Sequence, residues 1–247
     1  MHGVLKMGLL GKAAMLLSFD VAPEAIVEHD DWHTHEHIPE RLTIPGFMRG
    51  SRWIAERGQP RYLVIYEVEG LDILASAAYL ERLNNPTAWT TKMMVHYRGM
   101  TRGLCTVTDS VGVGLGQTAL LIRFEPGPGK ANVVLKWLRE EALPGLPSRA
   151  GLASAHLFEA GLTPQITNEQ RIRGKDAAVH CALLITGYSD ESVKRLFQTE
   201  LSEPQFGNRG ALGVSGGVYR MAYSLAEGEL EAPNSSLKRS AAAPPML

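Results

Sequence analysis

The sequence predicts an α+β protein built from two tandem units, each of βαββαβ order, with their sheets packed face to face. The first observation behind this is self-similarity. Displaced by 105 positions, Ala14-Met15-Leu16-Leu17-Ser18-Phe19-Asp20 falls on Ala119-Leu120-Leu121-Ile122-Arg123-Phe124-Glu125, and without a gap Trp32 falls on Trp137, Glu36 on Glu141, Pro39 on Pro144 and Gly46 on Gly151. An internal repeat constrains the architecture before any local assignment is made. The second observation is that runs of strand and helix period follow the same order in both halves. The third is size: 247 residues with 45% hydrophobic content suffice for one large or two small cores. Helices on one face of each sheet leave two bare faces that bury each other.

The elements follow in order. Residues 13–19 form an apolar run of strand length, and Pro23 suits the first turn of a helix expected from 23 to about 36. Ile44-Pro45-Gly46 turns the chain into a strand at 47–55, followed by a strand at 62–68, a helix at 71–83 and a strand at about 104–108. The second half repeats this as strand 118–124, helix 131–141, strand 152–158, strand 179–186, helix 191–201 and strand 218–224. The Gly- and Val-rich residues 109–116 read as the linker, giving an N-terminal unit 1–112 that carries the candidate site and a C-terminal unit 113–227. The Glu/Gly/Ala/Pro/Ser-rich residues 228–247 are expected to be disordered. Residues 161–176 lack apolar periodicity and read equally as a lid, an edge cover or a dimer arm.

The two halves act as controls for each other, and they disagree in one segment. The second half places Val134, Leu138 and Ala142 where the first places His29, His33 and His37. These positions are four apart and share one helical face, so the first half sets a histidine row where the second has aliphatic packing. Two imidazoles pressed against a sheet cost roughly 1–3 kcal/mol each unless hydrogen-bonded. A polar, solvent-connected cavity beneath the first helix, with His37 lining it, and a dry, aliphatic contact at the same place in the second half are therefore expected.

Composition excludes several classes of function. A formal net charge of -1 offers no basic field for a nucleic-acid backbone. Cys105 and Cys181 fall on different expected strands without CxxC spacing, which reads as two buried free thiols in a reducing compartment. Lys12 interrupts the apolar opening, and the repeat needs residues 13–19 as a strand, so the opening is not read as a signal peptide. No apolar run reaches membrane-spanning length, and a cytoplasmic location without membrane contact is expected.

The run Trp32-His33-Thr34-His35-Glu36-His37-Ile38-Pro39-Glu40-Arg41-Leu42, followed by Ile44-Pro45-Gly46-Phe47 and Arg52-Trp53, resembles the EthD-like branch of the dimeric α/β-barrel superfamily. In that branch a helix ends in a His-x-Pro element ahead of a Pro-Gly-aromatic turn. The motif covers about forty residues, and the βαββαβ order extends the likeness over most of the chain. The resemblance implies ferredoxin-like units packed into a barrel, here within one chain. It implies little about the reaction, because relatives include cofactor-free oxygenases, isomerases, cyclases, stress proteins and haem enzymes. Ala142 stands in the second half where the motif has its histidine.

His37 is the leading catalytic candidate, since a histidine near neutral pKa serves as acid or base. His33, one turn back, and Glu36 are placed beside it to orient or tune it, while His35 reads as solvated. Arg52, Trp53, Tyr66 and His96 are the candidate substrate-binding residues, Arg52 or Tyr66 steadying negative charge and His96, with Tyr97, lying in a loop near the barrel mouth. Strand alternation allows only one of Arg52 and Trp53 to line the barrel. His33-xxx-His37 has the spacing of a helical metal pair but lacks a third ligand, so no cofactor or metal is assigned. Haem has less support, because His156 and His180 fall on expected strands.

The expected function is cofactor-independent acid/base chemistry of lyase, isomerase or cyclase type on a small aromatic or unsaturated carbonyl compound. The alternatives are a non-catalytic barrel that sequesters a hydrophobic ligand, and a metal-dependent or oxygenase variant of the same fold. A homodimer is expected, because ferredoxin-like sheets retain edge strands that pair or are covered.

Overall fold

The computed structural model describes residues 8–230; of the segment 228–247 expected to be disordered, residues 228 and 229 belong to a 3-10 turn (Glu227–Glu229), and residues 231–247 lie outside the described residues. The first half runs β1 (Ala13–Val21), a 3-10 turn (Pro23–Ala25), α1 (Ile26–Trp32), a π turn (His33–His37), α2 (Ile38–Leu42), β2 (Phe47–Ala55), β3 (Tyr62–Val68), α3 (Ala77–Asn84), α4 (Ala88–Met94) and β4 (Tyr97–Gly112). The second half runs β5 (Thr118–Pro126), α5 (Ala131–Trp137), a π turn (Leu138–Ala142), β6 (Leu152–Leu162), α6 (Asn168–Arg173), the two-residue β7 (Ala177–Ala178), β8 (Cys181–Gly187), α7 (Asp190–Gln198), α8 (Glu203–Gly207) and β9 (Ala211–Ala226). None of the described helices is long and apolar enough to cross a membrane.

The strands pair in the order β4-β1-β3-β2 in the first half and β9-β5-β8-β6 in the second. Two antiparallel seams join the halves: β2 with β9 from Arg49↔Ala226 to Ala55↔Tyr219, and β4 with β6 from Leu104↔Leu162 to Gly112↔Ser154. The expected α+β barrel is thus the observed architecture, and its two sheets also meet edge to edge. Closure gives each of the eight long strands a neighbour on both sides. The edge-strand argument for a homodimer therefore falls away, because closing a sheet on itself leaves no row of unpaired N–H and C=O groups.

Three apolar layers follow from strand alternation. On β1, Ala14 and Leu16 point into the barrel with Trp53, Leu63, Ile65, Leu121, Phe158 and Leu184, while Ala13, Met15 and Phe19 point out beneath the helices of the first half. Leu120, Ile122, Val134, Leu138 and Leu183 form the matching outer layer of the second half. Because both faces of β3 are covered, all of its residues are buried, and its apolar run is broken only by Glu67, whose carboxylate accepts from Arg49 at 2.6 Å.

Several boundaries move, each for a local reason. The first helix does not stop near Glu36 but continues through the π turn to Leu42. Pro39 lacks an N–H, yet the Ile38 N–H already donates to the His33 carbonyl five residues back, so the helical ladder has slipped before the proline arrives. The Leu143 N–H donates to the Leu138 carbonyl in the same way ahead of Pro144. Gly46 at φ 89° and Gly151 at φ 91° then turn both chains through a backbone region that favours glycine.

The expected 71–83 helix divides into a 3-10 turn, Leu71–Ala75, and α3, because Ser76 caps α3 by accepting from the Tyr79 N–H at 3.2 Å. The loop expected after it holds α4, capped by Thr87. β4 starts at Tyr97 and β9 at Ala211, well ahead of their expected starts, so residues 109–112 belong to a strand rather than to the linker. Residues 161–176 contain α6, which crosses to the first half and rests on α3 and α4. There the Asn168 N–H and Nδ2 donate to Asn84 at 3.2 and 2.6 Å.

Candidate functional site

Beneath α1, the π turn and α2 lies a narrow cavity of about 30 Å³. Its polar wall is His33 and His37 from the π turn, Arg41 from α2, Tyr66 from β3, Arg102 from β4, and Glu169 and Arg173 from α6. Met15, Leu17, Leu83, Met94 and Met100 supply most of the apolar wall. The cavity therefore sits between the helix layer and the outer sheet face of the first half, not inside the barrel. At the corresponding place in the second half, Val134 and Leu138 are fully buried in the aliphatic layer.

His29, His33 and His37 are 0%, 1% and 5% exposed, with successive ring centroids 5.4 Å apart. His29 is hydrogen-bonded, with Nε2 3.2 Å from Tyr97 Oη and Nδ1 3.3 Å from Asp30 Oδ1. The other two differ: neither His33 Nδ1 nor His37 Nδ1 has a hydrogen-bond partner among the described residues, and Tyr66 Oη is likewise unpartnered. Buried polar atoms are nearly always satisfied by protein or by something bound. The Trp32 ring lies 4.3 Å from that of His37 and closes its outer side.

Burial, followed by the charges of neighbouring His29, Arg52 and Arg41, holds the His33 imidazole well below its usual pKa. Burial and then Arg41 do the same to His37. Both are therefore neutral at pH 7, and both are weaker bases than a free imidazole. Burial pushes the Tyr66 phenol up, so it remains a hydrogen-bond donor. Burial works against the Arg41 cation, but Glu169, Tyr79, Tyr66 and Glu40 together outweigh it and keep the guanidinium charged.

A dependence of stability on pH follows. The unfolded chain takes up protons on these histidines below about pH 6.5, whereas the folded state refuses them until a much lower pH. Stability present above pH 6.5 is lost as the pH falls below it, by about 1 kcal/mol per histidine between pH 6.5 and 5.5. His156, buried and held down to about 3, adds to the same slope. Denaturant titrations should show His33→Leu flattening this slope; an unchanged slope would mean that His33 titrates normally.

The remaining candidates are dispersed. Glu36 faces away from the cavity: its carboxylate accepts from Trp32 Nε1 at 3.2 Å and Thr87 Oγ1 at 2.6 Å, tying the π turn to the cap of α4. Trp53 is the residue of its pair that lines the barrel interior, with Nε1 donating to Ser51 Oγ at 2.9 Å. Arg52 faces the helix layer, and its Nη1 donates to the Asp30 carbonyl at 2.9 Å, which docks α1. His96 is half-buried after α4 and does not line the cavity, because Tyr97 already belongs to a strand. His35 is exposed. Among the described residues no group of three His, Cys, Asp or Glu converges on a metal position.

Sequence reasoning assigned no role to Arg41, although the signal was present: it is the next residue in the four-residue rhythm of His29, His33 and His37. Glu169 and Arg173 carried no local signal, since they reach the cavity from the other half of the chain. α6 fixes them there, with Arg41 Nη2 donating to Glu169 Oε1 and Arg173 donating twice to Asp176, at 3.0 and 2.6 Å.

No protein-family model and no curated protein matches the chain. Solved structures do. An anthrone oxidase-like protein superposes with a TM-score of 0.64 at 12% identity over 91% of this chain and 97% of its own. A putative monooxygenase from Fusobacterium nucleatum gives 0.55 at 7% identity over 88% and 96%, and one from Lactobacillus acidophilus gives 0.53 at 8% over 87% and 96%. At these identities the likeness shows the fold, and its extent means that it spans both halves.

Proposed function

We propose that this protein is an enzyme that removes a proton from a small, largely apolar carbonyl compound whose conjugate base is an enolate or phenolate. One observation carries the reading: two neutral, buried imidazoles with unpartnered nitrogens share a cavity with a phenol donor and a buried guanidinium. In the step, an imidazole nitrogen of His37 accepts the proton from the acidic carbon. The C–H electron pair becomes the C=C bond of the enolate and the C=O π pair moves to the carbonyl oxygen, where the Tyr66 hydroxyl and Arg41 meet the developing charge. His33 stands behind His37, with ring centroids 5.4 Å apart, and packs beside it as a neutral imidazole. The enolate formed in the same step supplies the countercharge that the empty cavity lacks, and this offsets the low basicity of a buried imidazole.

The enolate has three fates. Return of the proton at another carbon is the isomerase outcome; expulsion of a leaving group from the β carbon, which takes the bonding pair with it, is the lyase outcome; transfer of electrons to dioxygen is the oxygenase outcome. The fold shared with an anthrone oxidase-like protein and two putative monooxygenases supports testing the third alongside the others. We further read the two halves as copies of one unit, supported by π turns at matching positions and by the paired residues Pro39/Pro144 and Gly46/Gly151.

The test is deuterium wash-in at the acidic carbon of anthrone and of cyclic 1,3-diketones, followed by NMR in D2O, with dissolved oxygen recorded in parallel. Enzyme-dependent exchange is expected, and oxygen uptake decides the fate of the enolate. No exchange above background across the panel would leave the non-catalytic binding reading in possession.

A further inference from the structure

We propose that the cavity takes a ligand bearing one acidic oxygen, an aromatic carboxylate in the first instance, and that Arg102 holds it. The inference rests on reading the cavity as a ligand site and adds the charge and shape of the ligand.

Arg102 stands on β4 between Met100 and Leu104, both of which belong to the core beneath the helices, so its side chain enters the same layer. It is 4% exposed and lines the cavity. Its Nη2 donates to Tyr79 Oη at 3.1 Å, whereas Nη1 is buried with no hydrogen-bond partner among the described residues. The nearest carboxylate, Asp176, is 4.0 Å from Nη1, and both of its oxygens are engaged by Arg173. Glu169 is bound to Arg41.

The three arginines of the cavity are thus unequal. Arg41 and Arg173 each hydrogen-bond a carboxylate; among the described residues Arg102 hydrogen-bonds only a phenol, which in turn donates to Met15 Sδ at 3.1 Å. A buried cation that hydrogen-bonds a neutral acceptor and shares its one distant carboxylate, Asp176, with Arg173 is poorly balanced, and an oxyanion placed on Nη1 corrects the imbalance. One free donor suits one acidic oxygen, whereas a phosphate brings more charge than the committed neighbours can meet. Around it, the flexible side chains of Met15, Met94 and Met100 line a cavity of only about 30 Å³ and must move apart to admit a flat ring, as unbranched thioether chains readily do. The ligand is accordingly a flat, apolar body with a single negative oxygen.

The test compares benzoate with benzamide, which has nearly the same shape and no charge, by calorimetry on the full chain. Benzoate is expected to bind at least about tenfold more tightly, as a charge-assisted hydrogen bond in a buried site requires. This preference should be constant between about pH 6 and 8, because a guanidinium does not titrate there. Arg102→Met should weaken benzoate by about tenfold or more and leave benzamide within about threefold.

Equal affinity of wild-type protein for the two probes overturns the proposal. So does a preference that grows about tenfold per pH unit toward acid, since the anion would then sit on protonated histidine. Both of these measurements need only wild-type protein, so they decide the matter even if Arg102→Met does not fold. His37→Ala should keep the benzoate preference. A kept preference with no deuterium exchange in wild-type protein would remove the catalytic reading alone, and exchange without the preference would remove the anion site alone.

Discussion

His37→Ala is expected to lower enzyme-dependent deuterium exchange by about 10²–10⁴-fold, the usual contribution of a positioned general base. It should do so without unfolding the protein. The substitution gives the first half the residue type of Ala142, which the same position of the second helix accommodates. It removes a buried Nδ1 with no partner among the described residues, which relieves about 1–3 kcal/mol, and it loses the contact with the Trp32 ring, an opposing effect of similar size. Thermal unfolding and NMR exchange on the same sample read the two quantities together. Exchange within about threefold of wild type would take His37 out of the mechanism.

Glu169→Ala is expected to destabilise the protein by about 3–5 kcal/mol, the range for stripping one partner from a buried ion pair. Arg41 and Glu169 have side chains 1% and 3% exposed. With Glu169 gone, Arg41 keeps only Glu40, whose Oε2 accepts from Nη1 at 3.2 Å and whose carboxylate also lies 3.6 Å from Arg82. α6 loses its main polar attachment to α2 in the same step. The double substitution Arg41→Met with Glu169→Leu should recover most of the loss, because well-packed apolar side chains replace a buried pair at little cost. Denaturant titrations of the three variants measure this. A loss below about 1 kcal/mol in Glu169→Ala would show that the pair is solvated and α6 loosely held.

The histidine row was legible because two aligned halves turn one sequence into a comparison: Val134, Leu138 and Ala142 reveal what His29, His33 and His37 replace. Its burial followed, since the helix face that carries aliphatic residues in one half must face the sheet in the other. The extension of the helix to Leu42 was hidden by Pro39, whose usual effect is to end or kink a helix; only the slipped hydrogen bond from the Ile38 N–H makes it admissible. α4 was hidden because residues 88–94 are too short to show a period.

The strand alternation, the order of elements and the polar face of one helix were written in the sequence by itself, because each depends on the spacing of apolar residues along a few neighbouring turns. Three things were decided only in the folded chain: the closure of the barrel along β2–β9 and β4–β6, the arrival of α6 from the second half to set Glu169 and Arg173 in the wall of a first-half cavity, and the inequality of the three buried arginines. Each is a pairing between groups far apart in sequence, such as Arg41 with Glu169 or Arg49 with Ala226. Such partners are selected by which surfaces the assembled layers bring into contact, and no local period carries that information.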